Sequence, residues 1–191
     1  AAVDISERTL HEVHLPGFAA AVHAGVATLM PAFTDLNGVP MTAHIPLLRD
    51  WLRGEMGFEG VIVSDYNAIA ELIKHGVAAD LVDAAVLALK AGVDIDMMAD
   101  AYRKGLPVAL EQGRVTIEEI DASVRRVLRL KEELGLFDDP YRRGSTQEPA
   151  QAVAERRAVA RDAACKSIVM LRNERDTLPL PAAAKTLSVI G

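Results

Sequence analysis

The chain has 191 residues, half of them hydrophobic and a quarter charged, enough to bury a sizeable core in one domain or slightly more. That composition excludes a disordered tail, a collagen-like fibre and a disulfide scaffold. Net charge is −6 with no long basic run, so neither nucleic acid nor an anionic membrane surface is an expected partner. Aromatics make up only 4% and alanine supplies much of the apolar count, a pairing that suits helices packed closely on something flat. The single cysteine, Cys165, excludes an internal disulfide, and no apolar run approaches the roughly 18 residues of a membrane helix. Asp4, Glu7, Arg8 and Glu12 argue against a signal peptide; the chain begins like the middle of a protein.

In chain order, residues 4–24 read as a helix opened by a capping box at Asp4 and Glu7, with an apolar stripe at Leu10, Val13 and Val22 and a kink or split at Pro16-Gly17. A strand is expected over Val26 to Met30. A long loop follows from Pro31 to Pro46, marked by Asn37-Gly38 and Val39-Pro40. Leu47, Leu48, Trp51 and Leu52 fit one helix face that stops at Gly57. Val61-Ile62-Val63 is a strand too apolar to be half-exposed, as in parallel sheets covered on both faces. Helices are expected over Asn67–Lys74 and Ala79–Lys90, divided at Gly76, then a strand over Val93–Met97 and a helix over Tyr102–Gln112. The clearest helix runs from Thr116 to Leu134, with Thr116 and Glu119 as a capping box and Gly135 as its stop. Residues 136–150 have the turn-rich composition of an inter-domain linker. A helix over about 151–165 and strands over Ser167–Leu171 and Thr186–Ile190 complete the chain. The alternation up to residue 134 implies parallel βα units, but three strands are too few for a closed eight-stranded barrel.

Functional groups in parallel α/β folds gather at the C-terminal ends of strands. Asp65 stands at such an end, in Gly57-Phe58-Glu59-Gly60-Val61-Ile62-Val63-Ser64-Asp65-Tyr66. A carboxylate there can serve as nucleophile or base; equally, it can cap the next helix together with Asn67. The alternation around Asp94 and Asp96 puts both on one face, which suits an acid/base pair or a metal. Without a nearby histidine or third acid, hydrogen-bonded structural acids are the favoured alternative. His11-Glu12-Val13-His14 fails the zinc-protease motif, because its histidines are three apart rather than four. His23, His44 and His75 are scattered and read as surface or loop residues. Ser64 lacks the G-x-S-x-G frame of a hydrolase nucleophile, and no Gly-rich phosphate loop is present. Cys165, ahead of an apolar run, is expected to be an inert core thiol. Met30, Pro31 and Phe33 follow the first parallel strand at the same end as Asp65, and either line a pocket or cover the core.

Several motifs in order carry a family pattern. They are Asp4 to Leu10, Leu15-Pro16-Gly17-Phe18, Leu29 to Phe33, Leu36 to Pro40, Trp51-Leu52-Arg53, Gly57 to Tyr66, Ala91 to Met97, Leu134 to Tyr141, and Ser167 to Asn173 with Leu178-Pro179-Leu180. On these the chain resembles glycoside hydrolase family 3, and within it the bacterial periplasmic β-glucosidases. The resemblance implies the C-terminal portion of a (β/α)8 TIM-type barrel, about three strands, over 1–137. It further implies a linker over 138–150 and the start of an α/β sandwich domain over 151–191.

The resemblance also implies a retaining β-glycosidase that hydrolyses terminal non-reducing β-D-glucosyl residues, with an oligosaccharide or aryl β-glucoside as substrate and neither metal nor cofactor. Asp65 matches the family's nucleophile. A second carboxyl group about 5–5.5 Å away protonates the leaving oxygen and then activates water. In the β-glucosidase branch that group is a glutamate of the second domain; in the β-N-acetylglucosaminidase branch it is a His-Asp pair on an earlier barrel loop. Neither stretch, nor the family's substrate-binding residues on earlier strands, lies within these 191 residues. The chain thus reads as an internal fragment, inactive alone, that self-associates or meets a partner chain completing the barrel. Tyr66 stands where many members have a tryptophan stacking on the leaving-group sugar. Phe33 stands where many have a tyrosine, and is retained as pocket lining; Met30 is similar to a pocket methionine. A β-xylosidase or β-N-acetylglucosaminidase of the same family, a metal-using lyase of barrel type built on Asp94 and Asp96, and a non-enzymatic α/β module are the competing readings. A periplasmic or secreted location is implied by the resemblance, with a cytoplasmic one open.

Overall fold

Short parallel segments, not long strands, organise the N-terminal unit. The computed structural model describes residues 2–141, 144, 150–183, 186 and 188, and the chain divides into two units, 1–142 and 143–191. In the first, β2 (Thr28–Leu29) pairs in parallel with β5 (Val61–Ile62), Thr28 opposite Val61 and Leu29 opposite Ile62. Val63 then bridges in parallel to Ile95. The strand expected over Val93–Met97 is therefore reduced to this one bridge. Val61 and Ile62 have no exposed surface, as their unbroken apolar run requires.

The long loop expected after β2 holds structure of its own. β1 (Ala2–Val3) runs parallel to β3 (Asp35–Leu36), which forms an antiparallel hairpin with β4 (Val39–Pro40). Asn37 and Gly38 both take positive φ, 52° and 83°, as a two-residue hairpin turn requires. The Asn37 side chain accepts from the Ile5 N–H and donates to the Ile5 carbonyl, both at 3.0 Å.

The first helix begins later than its acidic residues suggested. Ser6, not Asp4, caps α1 (Glu7–Thr9), its hydroxyl accepting from the Thr9 N–H at 3.1 Å. The run widens into a π-helical stretch, Leu10–His14, and tightens again into α2 (Leu15–His23). Pro16 stands where the π-helical stretch passes into α2, so the residue without an N–H falls at the change of helical pitch. A second π-helical stretch, Pro46–Glu55, presents Leu47, Leu48 and Leu52 to the core and ends at Met56, before Gly57 at φ 65°. His44 is a loop residue, as expected, and is half-buried. Its Nδ1 accepts from the Leu47 N–H at 3.3 Å, and burial holds its pKa below the ordinary 6.5.

Helices α3 (Ala68–Lys74), α4 (Leu81–Ala91), α5 (Ala101–Glu111) and α6 (Ile117–Glu133) follow. Thr116 and Glu119 form the expected capping box of α6. Ala84, Ala85, Ala88 and Ala91 of α4 are fully buried. A Cβ on Gly105 of α5 would come within 3.0 Å of the Leu81 carbonyl and the Ala85 methyl. Small side chains thus let α4 and α5 approach closely, which is where the alanine-rich, aromatic-poor composition is used. Ile62, Ile69, Leu72, Leu89 and Val93 centre the core.

One buried polar hub ties these layers together. The Asp94 side chain has no exposed surface. Its Oδ2 accepts from Arg53 at 2.6 Å and from the Ile62 N–H at 2.9 Å; its Oδ1 accepts from Arg126 at 2.8 and 2.9 Å. Arg53 also donates to the carbonyls of Phe58, Gly60 and Gly92 at 2.9–3.3 Å, and its guanidinium lies 5.7 Å from the Phe58 ring centre. Burial pulls the Arg53 pKa down and the Asp94 charge opposes that pull.

The second unit contains α7 (Ala150–Ser167) and a short 3₁₀ turn, Glu174–Asp176. The strand expected over Ser167–Leu171 is absent. Ser167 ends α7, and 168–171 are exposed and unpaired among the described residues, since a strand without a neighbour has nowhere to place its backbone hydrogen bonds. Cys165, expected in a core, is exposed on α7. The strand expected over Thr186–Ile190 falls mostly outside the described residues.

Substituting Asp94→Ala would leave Arg53 and Arg126 facing each other without a counter-charge and free the Ile62 N–H. Removing one partner of a buried ion pair costs about 3–5 kcal/mol. Urea denaturation should show an unfolding free energy lower by about that amount and a correspondingly lower midpoint, and an unchanged midpoint would refute the role of the hub.

Candidate active site

Register fixes what meets at the strand ends. Because Leu29 lies opposite Ile62 and Val63 bridges Ile95, Met30, Ser64-Asp65 and Met97-Met98 emerge at the same C-terminal end. Further main-chain bonds hold the second and third segments together beyond the bridge: the Ser64 N–H donates to the Ile95 carbonyl and the Asn67 N–H to the Met97 carbonyl, each at 2.8 Å.

Asp65 is partly exposed, between the buried Ser64 and the exposed Tyr66. Its Oδ1 accepts from the Tyr66 N–H at 2.6 Å, while Oδ2 accepts no hydrogen bond among the described residues. The helix-capping alternative is not what the geometry shows. The Asp65 main-chain carbonyl, not its carboxylate, receives the Ala68 N–H at 3.1 Å. Asn67, in the left-handed region at φ 58°, makes no side-chain cap and donates instead to Glu71 at 3.3 Å. The carboxylate of Asp65 is thus fixed through one oxygen and open at the other.

The expected lining residues divide between two hollows. Met30 faces an apolar cavity of about 280 Å3 with Phe18, Leu29, Leu48 and Trp51. Phe33 borders instead a separate, smaller hollow with Ala68, Glu71 and His75. Tyr66, 62% exposed, follows Asp65 directly and presents an aromatic ring at the strand end.

Asp94 and Asp96 are structural acids. Asp94 is consumed by its two arginines. Asp96 accepts from the N–H groups of Ala99, Ala101 and Tyr102 at 2.6–3.2 Å, and so serves the first turn of α5. Both border a larger hollow of about 750 Å3 against α6, yet neither carboxylate is free to act in it. Burial, with the charges of Asp94 and Asp96, pushes the Tyr102 phenol well above its ordinary value; it remains a donor, to the Val93 carbonyl at 2.7 Å. Among the described residues no cluster of three or more histidine, cysteine or acidic side chains is arranged to hold a metal.

Two contributors escaped the sequence reading. Arg126 is one of several arginines along α6, and only the fold shows which of them reaches Asp94. Ser64 was weighed only as a nucleophile. Its signal was a hydroxyl at the end of a buried apolar strand, which has to find partners inside the protein.

Comparison with known proteins bears on this geometry. Residues 1–130 match the model of the glycosyl hydrolase family 3 N terminal domain. The chain is 44% identical, over 99% of its length, to a periplasmic beta-glucosidase of Salmonella typhimurium, and covers 25% of that protein. It is 41% identical over 98% of its length to a beta-xylosidase of Formosa agariphila, covering 27% of it. A beta-glucosidase from Listeria innocua, solved in complex with glucose, superposes with a TM-score of 0.75 at 41% identity, over 94% of this chain and 25% of that one. The chain therefore spans about a quarter of the length of the relatives it matches. With a family model matched over two thirds of its residues, the chain belongs to glycosyl hydrolase family 3.

Proposed function

We propose that this chain carries the nucleophile of a retaining β-glycosidase acting on terminal β-D-glucosyl residues, and that the nucleophile is Asp65. In this reading, residues 1–137 are the C-terminal portion of a TIM-type barrel, 138–150 a linker and 151–191 the start of an α/β sandwich. Parallel segments followed by helices, and exposed apolar side chains such as Phe18, Val124 and Leu128, support a barrel portion whose faces are covered by further structure.

The observation that carries the reading is the divided carboxylate. Oδ1 is held by the Tyr66 N–H while Oδ2 is free, at the strand end where this architecture gathers chemistry. Oδ2 attacks the anomeric carbon as the bond to the leaving oxygen breaks, and an acid delivers a proton to that oxygen. The resulting glycosyl ester is cleaved by water, which gives its proton to the same group acting now as base. Asp94 and Asp96 are committed elsewhere; the likeness to β-glucosidases supports a glutamate of the second domain, as in that branch, as the acid/base. Tyr66 offers its ring to the leaving-group sugar, and Met30 lines the approach. Phe33 lines the neighbouring hollow. The likeness to the Formosa enzyme, named a beta-xylosidase, supports a pentoside as the second reading.

In the whole gene product, Asp65→Ala should lower turnover of 4-nitrophenyl β-glucoside by about 10⁴-fold or more, as loss of a covalent nucleophile does. Azide should enter through the vacated face and restore turnover with the α-glucosyl azide as product. Full activity in the variant would overturn the assignment, and faster turnover of the β-xyloside in the parent would select the second reading. Tyr66→Ala should raise KM for a disaccharide substrate about 5-fold, the worth of roughly 1 kcal/mol of ring contact, and Tyr66→Trp should preserve binding. An unchanged KM in Tyr66→Ala would remove Tyr66 from the leaving-group subsite.

A further inference from the structure

Ser64 has no exposed surface, and its hydroxyl joins two different segments. It accepts from the Met97 N–H at 2.8 Å and donates to the Asp65 carbonyl at 3.0 Å. The main chain already fastens these segments through Ser64 to Ile95 and Asn67 to Met97. What the hydroxyl adds is a second grip on the Asp65 carbonyl, from the strand side, opposite the Ala68 N–H that reaches it at 3.1 Å from the following helix.

That grip reaches the carboxylate through one peptide plane. The Asp65 carbonyl and the Tyr66 N–H are opposite ends of a single rigid peptide unit. Holding the carbonyl sets the direction of the N–H, and the N–H holds Oδ1 at 2.6 Å. The donors run head to tail, from the Met97 N–H to the Ser64 hydroxyl, to the Asp65 carbonyl and, across the peptide, from the Tyr66 N–H to Oδ1. Bonds aligned this way polarise one another. The turns on both sides are the kind that need holding. Asn67 on one side, and Met98 and Asp100 on the other, are non-glycine residues at positive φ of 58°, 66° and 59°, a conformation that persists only when its surroundings enforce it.

We propose that Ser64 is a positioning residue for Asp65: its hydroxyl fixes the 65–66 peptide, which orients the carboxylate with Oδ1 bound and Oδ2 free to react. This rests on the reading of Asp65 as nucleophile.

The test is a cycle in the whole gene product, with turnover read with and without azide. Ser64→Ala should lower kcat by about 10²-fold, the scale of an ångström-sized misplacement, with KM within about 2-fold. In the Asp65→Ala background the external azide replaces the carboxylate. There Ser64→Ala should change the azide-driven rate by less than about 2-fold, because nothing is left to orient. Equal losses in both backgrounds would show a hydroxyl that only supports the fold, and no loss in either would show one that is dispensable; each overturns the proposal. Ser64→Cys, which is slightly larger and keeps a weaker donor, gives the same cycle with a smaller first loss should Ser64→Ala fail to fold. Failure of the underlying reading is distinct: Asp65→Ala alone would then keep its activity or form no glucosyl azide.

Discussion

Two guanidinium groups and one strand amide converge on the buried carboxylate of Asp94, and the register of the parallel segments follows from that convergence. The Ile62 N–H belongs to β5, Arg53 to the π-helical stretch before it, and Arg126 to α6. A carboxylate without exposed surface has to satisfy its charge and lone pairs within the protein. Here it does so only when β5, the segment at Asp94 and two helices take one mutual position. A slip of one residue would replace Asp94 by Val93 or Ile95, which offer no carboxylate. That position sets Val63 against Ile95, and so brings Ser64 and Asp65 beside Met97.

Close approach of backbones is the second constraint, and small residues meet it. Gly105 admits α4, and Gly60 lies so near the Ala27 carbonyl and the Phe58 ring that a Cβ would collide with both. The Gly60 carbonyl is also one of the acceptors of Arg53. The turn that enters β5 is therefore compressed against β2 on one side and pinned by the hub on the other. Large aromatic side chains would hold these layers apart, so a chain with 4% aromatics is consistent with the spacing its core adopts.

Much of this arrangement was legible in the residues. The unbroken apolar run Val61-Ile62-Val63 announced a buried parallel strand, and Thr116 with Glu119 announced the start of α6; both depend on local rules. The alternation around Asp94 and Asp96 overstated the strand, since only Ile95 pairs, but the favoured reading of both as hydrogen-bonded structural acids is what the structure shows, each serving different neighbours. Asp94 finds Arg53 and Arg126, 41 and 32 residues away, and no local pattern encodes such a meeting. Asp96 takes up helix amides that Asp100, turned to the left-handed region, does not cap. The shift of the first cap from Asp4 to Ser6 arose because both residues suit the position, and the hydrogen bond to Thr9 decides between them. At 168–171, β propensity had no neighbouring strand to act on.

The same residue type meets opposite surroundings on neighbouring segments of this fold. Asp94 has both oxygens engaged by cations and an amide, with no surface left for a substrate. Asp65 has one oxygen engaged by a single amide and the other open. A carboxylate with neither oxygen held would sample several rotamers, and each would cost a reaction that needs one line of approach. One held on both oxygens by cations, with no exposed surface, could not be reached by an electrophile. Half-engagement is the state suited to a nucleophile. In the proposed reading that state rests on the 65–66 peptide plane, whose carbonyl accepts from the buried Ser64 hydroxyl and whose N–H holds Oδ1.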